Sequence, residues 1–137
     1  MEINPLGSGF GATPSPSPNY PQLAKDYEQL VQELADFTIN LQAYLKDPHG
    51  KNALEEINQM QSDMGRMLTL FNPSIPGNFF SAANGNSQVI GLVSEIQGIL
   101  ESMRATLNSS DYQGTLDILT KSPLFTAMTN LFAIITA

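Results

Sequence analysis

Apolar side chains recur along most of this chain with the period of an α-helix. Leu23, Tyr27, Leu30, Leu34, Phe37, Leu41 and Tyr44 are spaced alternately four and three apart, which places them on one helix face. Pro21 suits the first turn of that helix, and the turn cluster Asp47-Pro48-His49-Gly50 stops it near Lys46. A second run, Leu54, Ile57, Met60, Met64, Met67 and Phe71, breaks at Asn72-Pro73. A third carries Val89, Leu92, Val93, Ile96, Ile99, Leu100, Met103 and Leu107, and ends at Asn108-Ser109-Ser110. A short segment with Tyr112, Leu116 and Leu119 leads to Ser122-Pro123. Ser122 as N-cap and Pro123 at the first position are expected to open a last helix with Leu124, Phe125, Met128, Leu131, Phe132 and Ile135. Strand-like alternation is never sustained. The pattern predicts an all-α protein.

These runs group into two antiparallel helical hairpins, 22–72 and 87–137, joined by a linker, 73–86, in which Pro73, Pro76, Gly77 and Asn84-Gly85-Asn86 flank Phe79-Phe80. The expected architecture is a four-helix bundle over 22–137. Laying Leu41 on Met103 puts Leu30-Val31 on Leu92-Val93, Glu33 on Glu95, Leu34 on Ile96 and Ile57 on Leu119. The polar match and the coincident turns suggest that one hairpin is written twice, although any two heptad helices agree at apolar positions. Ahead of the bundle, residues 1–21 are rich in Gly, Ser and Pro around Thr13-Pro14-Ser15-Pro16-Ser17-Pro18. Proline fixes φ and biases its predecessor away from the α region, so this tail is expected to be extended. It reads as a plain terminus, an export tag, or an arm ordered on assembly.

The halves differ on their outer faces. Opposite its seam the first helix carries Lys25, Gln32, Asp36 and Ala43, an ordinary solvated surface. The third helix carries Gly91, Ser94, Gly98, Ser102 and Ala105 there. Glycine inside a helix costs about 1 kcal/mol relative to alanine, and small side chains allow another backbone to approach closely. The chain ends on Phe132-Ala133-Ile134-Ile135-Thr136-Ala137, with no charge after Lys121. Residues 124–135 are apolar on more than one stripe, which points to contacts beyond a monomer core. The expected protein interface is therefore Gly91, Ser94, Gly98, Ser102 and Ala105 together with Phe125, Met128, Phe132, Ile134 and Ile135.

Composition narrows the function. The 137 residues suffice for one domain with a real core. With no cysteine and a single histidine, His49, thiolate and multi-histidine metal centres are excluded. A formal charge of −7 with six Lys+Arg argues against nucleic-acid partners, whose phosphates demand cations. No apolar run reaches the length of a membrane span. Met1-Glu2-Ile3-Asn4-Pro5 lacks the charged and apolar regions of a secretory signal, so any secretion is expected to use another route.

No catalytic, cofactor or metal constellation is expected. Glu55 and Glu56 are adjacent and diverge on a helix, Glu33 and Asp36 read as a solvated face, and His49 near Asp47 reads as a turn residue. Gly7-Ser8-Gly9-Phe10-Gly11 lacks the strand and lysine of a phosphate loop. Met60, Met64, Met67 and Met103 are either core or an adaptable partner-binding groove.

The stretch Leu41-Gln42-Ala43-Tyr44-Leu45-Lys46-Asp47-Pro48-His49-Gly50-Lys51-Asn52-Ala53-Leu54-Glu55-Glu56-Ile57, within residues 20–72, resembles a type III secretion needle subunit: polar tail, amphipathic helix, proline turn, second amphipathic helix. Needle subunits carry a P-x-[DN]-P turn, of which only the first proline is matched here, and they end after the second helix. The resemblance implies a secreted, self-assembling subunit with its C-terminal helix buried between protomers. Residues and resemblance together lead to a non-enzymatic subunit that assembles with itself. The competing expectation is a small acidic helical chaperone or adaptor that masks a partner's helix in a Met-lined groove.

Overall fold

The computed structural model describes residues 17–137. Its elements are α1 (Tyr20–Lys46), α2 (Ala53–Thr69), α3 (Phe79–Ala83), α4 (Ser87–Asn108), α5 (Tyr112–Lys121) and α6 (Leu124–Ile135). Among the described residues there is no strand, so the protein is all-α. Residues 1–16 of the expected tail lie outside the described residues.

α1 begins two residues before the expected boundary because Asn19 caps it, its side chain accepting from the Gln22 amide at 3.2 Å, with Pro21 inside the first turn. It ends at the Asp47 turn, where the Asp47 amide donates to the Ala43 and Tyr44 carbonyls. Five of its seven seam residues, Leu23, Leu30, Leu34, Phe37 and Leu41, are buried; Tyr27 and Tyr44 are half-buried. α2 packs along α1, and α4 packs against both α5 and α6 while also touching α2 and α3. One continuous core results, with contributions from all six helices. Burying each such Leu, Met or Phe contributes about 1.5–3 kcal/mol, the term that holds these helices together.

The segment 73–86 is more than a connection. It contains α3, capped by Asn78, whose side chain accepts from the Ser81 amide at 2.6 Å and donates to the Asn72 carbonyl. Phe79 is fully buried with its ring centroid 4.9 Å from that of Phe71, so α3 closes one end of the α2 core. The chain then reverses through Asn84 and Gly85, both at positive φ, and Asn86 caps α4. The Asn84 side chain donates to the Ser17 carbonyl at 2.8 Å and the Asn19 amide to the Ala82 carbonyl at 2.7 Å. The start of α1 is thereby stitched to the α3–α4 corner.

The last two helices correct one detail. α5 and α6 are bent 46° from each other at Ser122-Pro123. Pro123 itself occupies the N-cap of α6, without a side-chain cap bond, and the buried Ser122 hydroxyl has no hydrogen-bond partner. Ser122 thus stands one residue too early to reach the first free amides of α6; it closes α5 instead, its amide donating to the Ile118 carbonyl at 3.1 Å. The hairpin halves agree at their first turn, where Asp47 and Ser109 close α1 and α4 at matched positions. They diverge beyond it, since α2 runs unbroken and its counterpart is split at the proline.

Candidate interaction surface

α6 lies along α1 in the opposite direction: Phe132 meets Tyr27, ring centroids 5.5 Å apart, whereas Phe125 and Met128 share a groove with Ile39. Two apolar grooves run between these helices. One, of about 520 Å³, is bordered by Val31, Ile39 and Phe125; the other, of about 510 Å³, by Val31, Phe132 and Ile135. Tyr27 and Val31 line both, so the surface is continuous.

The local sequence explains this face. Beside its buried seam, α1 carries a second stripe, Val31, Ala35 and Ile39, at a spacing of four. α6 has no charged residue; it buries Leu124, Ala127, Met128 and Leu131 and turns Phe125 and Phe132 outward. Val31 is 41% exposed, Ile39 64%, Phe125 51% and Phe132 48%. Among the residues lining the two grooves only Glu28 is charged. Such a surface can bury apolar side chains of a partner.

The structure divides the ten expected interface residues into three groups. Phe125, Met128, Phe132 and Ile135 line the α1–α6 grooves, although Met128, which lines the groove beside Phe125, is buried. Gly91 and Ile134 border a different groove, of about 610 Å³, between α4 and α6. Ser94, Gly98, Ser102 and Ala105 lie exposed farther along α4, and a side chain added at Gly91 or Gly98 would meet nothing within 4 Å. Val31 and Ile39 were not expected; their signal in the sequence is the second stripe, masked by the stronger seam. The four methionines Met60, Met64, Met67 and Met103 are all buried in the core, so these four do not form a groove open to solvent.

The polar face of α1 is also different from expectation. Glu33 and Asp36 are half-buried against α2. The Arg66 guanidinium bridges Glu33 at 3.0 Å and Asp63 at 2.6 Å, and Gln59 donates to Asp63 at 3.1 Å. Asp63 is fully buried. Burial first, then hydrogen bonding to Asp36, raise its pKa to about 7, against the lowering effect of Gln59 and Arg66. The buried Asp63 Oδ2 has no hydrogen-bond partner. Asp26, also buried, accepts from Gln22 at 2.9 Å, and burial raises its pKa to about 6. Both acids are built into helix packing. His49 and Glu55 are exposed at the α1–α2 turn and in the first turn of α2. Among the described residues, no group of three or more His, Asp or Glu could hold a metal ion, and no single helix is long and apolar enough to cross a membrane.

Compared with known protein families, curated proteins and solved structures, the chain matches none of them.

Proposed function

We propose that this protein is a non-enzymatic structural subunit that assembles with copies of itself, its two hairpins forming a four-helix bundle that presents an adhesive face. The observation that carries this reading is the apolar α1–α6 surface, where four large side chains stand 41–64% exposed and the two grooves have a single charged lining residue, Glu28, in one of them. Keeping such a patch in water is unfavourable by about 25 cal/mol for each Å² that a partner would cover. The needle-subunit resemblance of residues 20–72 makes a secreted filament or a secretion-apparatus component the class of assembly to test first. An adaptor for a foreign helix would not use the four methionines it was expected to offer, because they are interior.

Light scattering after size-exclusion chromatography, over a hundredfold range of concentration, tests the reading. Mass rising with concentration is the expected result. A constant monomer mass contradicts it.

A further inference from the structure

We propose that the α1–α6 face is a homotypic interface, a second copy of the chain covering Val31, Ile39, Phe125 and Phe132. This assignment rests on the self-assembly reading and adds the surface and the partner to it.

Charge selects the partner. The chain carries a formal charge of −7, so two copies repel wherever acidic side chains face each other. α6 carries no charge, and Glu28 is the single charged residue lining the grooves. A basic or an acidic partner finds no complement there. An uncharged helical face does, and the chain supplies one of its own.

Shape agrees. A two-fold contact needs projections and hollows on the same patch, because each copy must receive what it offers. Phe125 and Phe132 stand two helical turns, about 10 Å, apart on α6. Each borders a groove against α1, of about 520 and 510 Å³ respectively. An axis passing near Thr129, between the two, sets Phe125 of one copy against the groove beside Phe132 in its partner, and the reverse.

Area fits a weak, reversible contact rather than a standard interface. Half of two aromatic surfaces is about 200 Å². Val31 and Ile39 bring the patch to several hundred Å², the size at which exposed apolar surface marks an interaction site. That is about half of the roughly 800 Å² per partner in a standard interface, and the groove walls Tyr27, Ala35 and Thr38 extend it. The α4 stripe competes poorly. Gly91, Ser94, Gly98, Ser102 and Ala105 offer little apolar area, and the Arg104–Glu101 ion pair lies beside it.

Sedimentation velocity on the full chain and on Ile39→Glu, Phe125→Glu and Gly98→Leu tests the assignment, with circular dichroism melts to verify folding. Ile39 and Phe125 are more than half exposed, so the folded monomer is expected to survive either glutamate. Should one unfold, the corresponding serine variant replaces it. The expected result is association weakened at least about tenfold in each glutamate variant and unchanged in Gly98→Leu. Association unchanged in both glutamate variants, or lost only in Gly98→Leu, overturns the assignment while leaving self-assembly standing. A wild-type chain that remains monomeric overturns both. A monomer that binds an added amphipathic helical peptide, and loses it on Phe125→Glu, overturns the homotypic partner.

Discussion

Asp63 and Asp26 occupy equivalent places on their helices. Each lies three residues after one buried seam residue and four before the next: Leu23 and Leu30 frame Asp26, and Met60 and Met67 frame Asp63. The seam arithmetic that marks these leucines and methionines as core does not single out the acids, since Glu33, framed in the same way by Leu30 and Phe37, is only half-buried. The contact between Asp63 and Asp36 was not legible either, because it depends on how α2 is rotated against α1. The consequence is a pH dependence of defined sign. Both carboxyls bind protons more tightly folded than at their ordinary 3.8, reaching about 6 for Asp26 and about 7 for Asp63. The stability they contribute is full below about pH 4 and is lost as pH rises through those two values. Thermal unfolding followed by circular dichroism should therefore show a melting temperature that falls from pH 4 to pH 8. Asp63→Asn, which needs no proton, should be more stable than wild type at pH 8 by about 1–2 kcal/mol and remove the upper part of the fall. An unchanged slope in Asp63→Asn would contradict the buried-acid account.

At the scale of the element, heptad periodicity located α1, α2 and α4 closely, because each buries one stripe along its length. It gave no sign of α3. Five residues are too few to show a period, and the Pro and Gly around Phe79-Phe80 read as a linker. What forms α3 is tertiary: Phe79 fills the space beside Phe71, and Asn78 ties the cap to the end of α2. Phe79→Ala should therefore cost about 3–5 kcal/mol in denaturant unfolding, as a core position does. Leu54, which the same periodicity placed on the seam, is 71% exposed, so Leu54→Ala is expected within about 0.5 kcal/mol of wild type. Equal effects at the two positions would mean that α3 is not part of the core. The second stripe of α1 shows the opposite limit. Val31, Ala35 and Ile39 are visible as a pattern, but only the packing of α6, from the far end of the chain, gives that pattern a neighbour.

On the scale of the whole molecule, the core accounts for most of the seams and leaves a continuous apolar surface facing solvent where the two ends of the described chain meet. α1 opens the helical body and α6 closes it, and their shared face holds four of the large exposed apolar side chains, Val31, Ile39, Phe125 and Phe132. The apolar stripes of the C-terminal helix pointed to contacts beyond a monomer core. The expected interface joined these residues with the glycine stripe of α4, whereas the fold places Phe125, Phe132 and Ile135 beside α1. Gly98 and its neighbours are left in the open. Because the chain has no cysteine, a single introduced thiol reports the proximity of two copies without background. Thr129→Cys places one between the two phenylalanines, and Ser102→Cys places one on the α4 stripe. The most direct measurement is the rate of disulfide-linked dimer formation under mild oxidation at matched concentrations. Self-association through the α1–α6 face predicts dimer from Thr129→Cys well ahead of Ser102→Cys; equal rates, or faster capture from Ser102→Cys, would contradict it.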